Sequence, residues 1–166
     1  MSILIENLSR DIVELLFERN LRVAFAESCT GGMVSAAITS VPGSSRVLDL
    51  SIVTYSNQAK IEYTDVTQEV LGKHSAVSSQ TAQLMAQGIR ARANADIGIG
   101  ITGIAGPDGG TDEKPVGTVY IAVNDRIEHC VFTGDRQQVR EQTTRQALEM
   151  LHDCILQTPP CQRQGI

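Results

Sequence analysis

The chain reads as an α/β protein: a three-layer α/β/α sandwich around a mixed, mostly parallel sheet. Three observations predict it. Apolar runs of strand length alternate with stretches of helical periodicity. The runs at 21–26 and 97–102 are almost wholly apolar or small, as buried strands are. Two further runs, 117–123 and 127–132, are joined by Asn124-Asp125-Arg126, the spacing of an antiparallel hairpin, which makes the sheet mixed. At 166 residues the chain is long enough for one domain with a sizeable core. That domain is expected over 1–157, with 158–166 a loose tail after Thr158-Pro159-Pro160.

The elements follow in order. Residues 5–20 carry Leu8, Ile12, Leu15 and Leu16 at helical spacing, with Arg10, Asp11, Glu14 and Glu18 on the other side. A strand at 21–26 is followed by small polar residues and a helix at 33–41, stopped before Pro42-Gly43. Residues 47–55 form the second strand. Short helices or turns follow at 56–61 and 68–71, then a longer helix at 79–93 with Ser78 as cap. After the strand at 97–102 comes a loop rich in glycine, and after the hairpin a last helix at 136–156, with Val139, Ala147, Leu148 and Leu151 inward. There is no internal repeat and no low-complexity segment.

Composition excludes several function classes. The net charge of −5 argues against broad nucleic-acid binding, which needs many cations on one face. It leaves room for a small anion held by local cations. No apolar run is long enough to span a membrane, and residues 1–7 lack the pattern of a secretory signal. A cytoplasmic protein without membrane contact is expected. The cysteines Cys29, Cys130, Cys154 and Cys161 form no Cys-x-x-Cys pair, and His74, His129 and His152 have no ligand spacing. No disulfide framework and no metal are expected.

The chemistry gathers at three strand ends, where layered α/β sheets collect ligands. The first is Ala26-Glu27-Ser28-Cys29-Thr30-Gly31-Gly32, a strand–turn–helix that brings a nucleophile and backbone N–H groups together. It also fits an ordinary helix cap. The second is Thr54-Tyr55-Ser56-Asn57-Gln58-Ala59-Lys60, and the third spans 102–118. A serine needs a base. Lys60 can serve once burial or a nearby cation lowers its pKa, with Tyr55 passing the proton or orienting the amine. Equally, Lys60 fits a solvent-facing helix residue and Tyr55 a core-edge aromatic. Backbone N–H groups at the second helix can hold an oxyanion or a phosphate. Cys29 is a rival nucleophile with no marked base and reads better as a small buried residue. Gly98-Ile99-Gly100-Ile101-Thr102-Gly103 matches a dinucleotide-binding pattern, but its first two glycines lie inside a strand and no helix follows.

Taken together, these segments resemble the CinA C-terminal domain, the nicotinamide-nucleotide amidase family. The likeness rests on Ala-Glu-Ser-Cys-Thr-Gly-Gly at 26–32, Pro-Gly-Ser-Ser at 42–45, Thr-Tyr-Ser-Asn at 54–57 with Lys60, Thr-Gly-Ile-Ala-Gly-Pro-Asp-Gly-Gly-Thr at 102–111 and Glu-Lys-Pro-Val-Gly-Thr-Val at 113–119. The resemblance implies hydrolysis of nicotinamide mononucleotide to nicotinic acid mononucleotide and ammonia. It implies Ser28 as nucleophile, Lys60 as base and Tyr55 as its partner. Thr30, Gly31 and Gly32, with Thr102, Gly103, Ala105 and Gly106, would line the substrate site, and Arg140 is our candidate for the substrate phosphate. No cofactor and no metal are implied, and a homodimer is. Three departures stand out: Ser51, Thr64-Asp65-Val66 and Ser75-Ala76-Val77-Ser78 each lack a glycine usual in the family, where the backbone can need positive φ or close approach. They motivate a second reading, an inactive or altered-specificity relative that binds a nucleotide.

Overall fold

The computed structural model describes residues 2–162. Its helices are α1 (Ile3–Glu18), α2 (Met33–Thr39), α3 (Asn57–Tyr63), α4 (Gln68–His74), α5 (Ser79–Ala93) and α6 (Arg136–Gln157). Its strands are β1 (Val23–Glu27), β2 (Leu48–Val53), β3 (Ile97–Gly103), β4 (Thr118–Val123) and β5 (Arg126–Val131). The strand order is β2-β1-β3-β4-β5. β1 pairs in parallel with β2 and β3, while β4 is antiparallel to β3 and to β5. Four strands therefore run one way and β4 alone runs back. The sheet is mixed and mostly parallel, as expected.

Strand alternation sorts the two faces. Val23 and Phe25 of β1, with Ile97, Ile99 and Ile101 of β3, join the larger core under α1, α2 and α6. Each such side chain, fully buried, contributes roughly 1.5–3 kcal/mol. The alternate residues Ala24 and Ala26 face α5 instead, with Met85 and Ile89. Gly98 and Gly100 complete that small-residue face. A Cβ on Gly98 would lie 2.2 Å from the Ala86 carbonyl oxygen, and one on Gly100 2.2 Å from that of Ala82. The dinucleotide-like glycines thus let a helix settle onto a strand.

Caps explain where the helices begin. Ser56, Thr67 and Ser78 each accept an N–H bond in the first turn of α3, α4 and α5. Asp135 and Gln138 form a reciprocal capping box on α6. The two short helices extend two or three residues past their predicted ends: α3 runs to Tyr63 and α4 to His74. The first residues of the expected tail are docked on α1. Arg19 donates to the Thr158 carbonyl at 2.9 Å and the Cys161 N–H to the Arg19 carbonyl at 2.9 Å. The rest of that tail, 163–166, lies outside the described residues. No described helix is long and apolar enough to cross a membrane.

Candidate active site

The turn after β1 is held from within. Glu27 ends the strand fully buried. Its carboxylate accepts from the Thr30 hydroxyl at 2.6 Å and from the N–H groups of Gly32 at 3.0 Å, Val34 at 3.2 Å and Ser35 at 2.9 Å. The Ser35 hydroxyl also donates to it and meets Ser51 Oγ. The chain curls around this carboxylate through left-handed Gly31 (φ 60) and Gly32 (φ 96), a conformation that favours glycine. From outside, Arg140 donates to the carbonyls of Cys29 at 3.1 Å and Thr30 at 3.0 Å.

Five sequence-predicted features stand differently in the structure: the α2 N-terminus, Thr30, Gly31, Gly32 and Arg140. The α2 N-terminus, expected to hold an oxyanion or phosphate, is occupied by Glu27. Buried Thr30, exposed Gly31 and half-buried Gly32 are not among the residues that line the cleft. The Arg140 guanidinium is committed to the turn, with Gln137 Oε1 as a further acceptor at 3.3 Å.

What the turn presents outward is Ser28. Lys60 Nζ lies 3.1 Å from its Oγ. Lys60 sits one turn into α3 and is only 2% exposed. Its amine also donates to the Thr54 carbonyl at 2.8 Å and the Tyr55 carbonyl at 3.4 Å. Burial holds its pKa below the ordinary lysine value. An amine of lowered pKa beside a serine hydroxyl is an arrangement able to serve as base and nucleophile. Cys29 is different. Burial pushes its thiol up to about 12, against the smaller pull of its own N–H. It is an inert, packed thiol.

The resemblance implies Tyr55 as partner of Lys60, but in this structure its hydroxyl does not meet the amine. Tyr55 is 60% exposed, and its contact with the amine is made by its carbonyl. Its hydroxyl accepts instead from Arg136 at 2.9 Å. Arg136 also donates to the Gly106 carbonyl at 2.8 Å, so Gly106 acts through its main chain.

These groups surround a cleft of about 240 Å³. Ser28, Cys29, Tyr55, Lys60, Thr102, Gly103 and Ala105 line it, joined by Asn57, Ala76, Val77 and Arg136. Asn57, Ala76, Val77 and Arg136 were absent from the sequence-based site. Asn57 carried a signal, standing in the same strand-end motif as Tyr55. Of the three replaced glycines, only the position of Ser75 has positive φ among the described residues, at φ 70 and ψ 169. That conformation belongs almost exclusively to glycine.

The model of the CinA C-terminal domain matches residues 5–155. The chain belongs to this family. It is 48% identical over 150 residues to a CinA-like protein of Syntrophotalea carbinolica, covering 88% of this chain and 36% of that protein. A CinA-like protein of Syntrophus aciditrophicus is also 48% identical, over 151 residues, with the same two coverages of 88% and 36%. The chain thus spans little more than a third of the length of these curated relatives. Among solved structures, the competence/damage inducible protein CihA from Agrobacterium tumefaciens superposes with a TM-score of 0.89 at 41% identity, covering 94% of this chain and 99% of that one. A CinA superfamily protein from Klebsiella pneumoniae gives 0.89 at 37%, covering 93% and 99%.

Proposed function

We propose that this chain is an amidase in which Ser28 and Lys60 hydrolyse the carboxamide of nicotinamide mononucleotide. The observation that carries the reading is the 3.1 Å contact between a buried amine of lowered pKa and a serine hydroxyl in a polar cleft. Neutral Lys60 takes the Ser28 proton as Oγ bonds to the carboxamide carbon. The new ammonium lies beside the oxyanion and offsets its charge. Lys60 then gives its proton to the departing nitrogen, the C–N bond breaks and ammonia leaves. Water attacks the resulting ester with Lys60 as base, and the acid is released as Ser28 regains a proton.

The cleft, at about 240 Å³, is smaller than the roughly 300–1,000 Å³ of pockets that enclose a drug-sized ligand. It suits the amide and ring, with the sugar phosphate toward the mouth. There Arg136 replaces Arg140 as the cation placed for the phosphate. The homodimer and cytoplasmic setting belong to this proposal, and light scattering of the purified chain tests the former.

Ammonia release from nicotinamide mononucleotide, run beside Ser28→Ala, tests the reaction. Turnover in the native protein and its loss in the variant are expected. Equal rates in both would remove Ser28 from the chemistry. The strained Ser75 beside the cleft favours a second reading, a nucleotide-binding domain without turnover. It predicts a ligand-dependent rise in Tm with no ammonia.

A further inference from the structure

The Gly-rich loop that follows β3 returns to the cleft with Lys114. Its amine donates to the His74 carbonyl at 3.2 Å, Ser75 Oγ at 2.9 Å and the Val77 carbonyl at 2.7 Å. An ammonium has three protons, and all three are used here. The acceptors are the last residue of α4 and two residues of the short turn between α4 and α5, whose Ala76 and Val77 form one wall of the cleft.

That turn has reason to be tied. Ser75 holds a backbone conformation its side chain disfavours. Its carbonyl accepts from Ser78 Oγ at 3.1 Å and Thr81 Oγ1 at 2.8 Å, both anchored on α5. The Ala76 carbonyl accepts from Thr102 Oγ1 at 2.7 Å, which ties the wall to the end of β3. Lys114 supplies the remaining tie, across 37 to 40 residues of chain. Of these ties it alone reaches the turn from the Gly-rich loop, while Thr102 and Gly103 at the end of β3 and Ala105 in that loop line the same cleft.

We infer that Lys114 is a positioning residue that sets the width of the cleft, and so substrate affinity, by clasping the Ser75–Val77 turn to the Gly-rich loop. It lines no part of the cleft and touches neither Ser28 nor Lys60, so the bond-making step is independent of it. This inference rests on the amidase reading for its kinetic form only.

The test uses the full chain with Lys114→Met and Lys114→Arg. Nicotinamide mononucleotide turnover should show KM raised about fivefold or more in Lys114→Met with kcat within about twofold, the signature of lost binding rather than lost chemistry. Lys114→Arg, which keeps charge and donors, should recover part of the KM. An unchanged KM, or a fall confined to kcat, overturns the inference. Hydrogen exchange gives a readout that needs no activity. Amides at 75–78 should exchange about tenfold faster in Lys114→Met while those of β3 are unaltered. Unchanged exchange at 75–78 overturns the inference even if the chain hydrolyses nothing. Absent turnover in the native protein, with the exchange result as expected, overturns the amidase reading and leaves the clasp standing.

Discussion

Two turns meet at the cleft and solve the same backbone problem in opposite ways. The turn after β1 uses residues suited to its shape: Gly31 and Gly32 supply the left-handed conformations, and the buried Glu27 carboxylate gathers the N–H groups. The turn after α4 puts Ser75 where glycine belongs and holds it with bonds from Ser78, Thr81 and Lys114. The first turn wraps a carboxylate of its own strand, with Arg140 added from outside, whereas the second depends wholly on ties to its strained residue. A lost glycine is therefore tolerated where neighbours over-determine the backbone. Ser28 sits on the turn whose glycines suit its shape.

The comparison breaks most sharply at Lys60, the group that gives the first turn its chemistry. Lys60→Met should lower ammonia release by roughly 10³–10⁶-fold, the range for losing one member of a catalytic unit. The pH dependence follows from the direction of its shift. Burial lowers the pKa in the folded state, so activity should rise with pH as Lys60 loses its proton and level off above that point. Between the lowered pKa and the unfolded value of about 10.4, the unfolded chain binds more protons, so stability rises with pH. Lys60→Met should lose this contribution, which denaturant titrations across that window would show.

Glu27→Gln tests the internal support. An amide cannot accept from every donor that surrounds the carboxylate, and its own N–H groups would face other donors. A loss of about 2–3 kcal/mol in unfolding free energy is expected. A loss under about 0.5 kcal/mol would show that the glycines alone shape the turn. The smallest effect belongs to the second turn. Ser75→Gly should gain about 0.5–1 kcal/mol, the relieved strain exceeding the lost side-chain bond and the added chain entropy. A destabilised variant would mean that the ties, rather than the backbone, dominate there.

Much of this was legible in the sequence because it is local. The Ile-Gly alternation of β3 announced a strand with one bulky and one flat face. Ser78 marked the start of α5, and polar residues at strand ends marked Ser28 and Lys60. The remainder depends on approach between distant segments. Tyr55 meets Arg136 across 81 residues, a pairing set by how α6 lies over the sheet. Arg140 reads as a free cation on a helix face, but its guanidinium turns toward the carbonyls of Cys29 and Thr30. Glu27 ends an apolar run, and nothing nearby in sequence reveals that its carboxylate folds back onto the following helix. The resemblance implies glycine at three positions, but only the fold shows that Ser75 alone of them has positive φ among the described residues.

The buried Glu27 has a consequence for how the protein senses its solvent. Its charge neutralises the positive end of α2 internally, out of reach of dissolved ions. The field around Ser28 is then fixed by the fold rather than by the buffer. Arg136, exposed at the mouth, has no such shelter. Ionic strength should therefore act on the capture of an anionic substrate and leave the bond-breaking step nearly untouched. The molecule keeps a constant electrostatic interior behind an entrance that responds to salt.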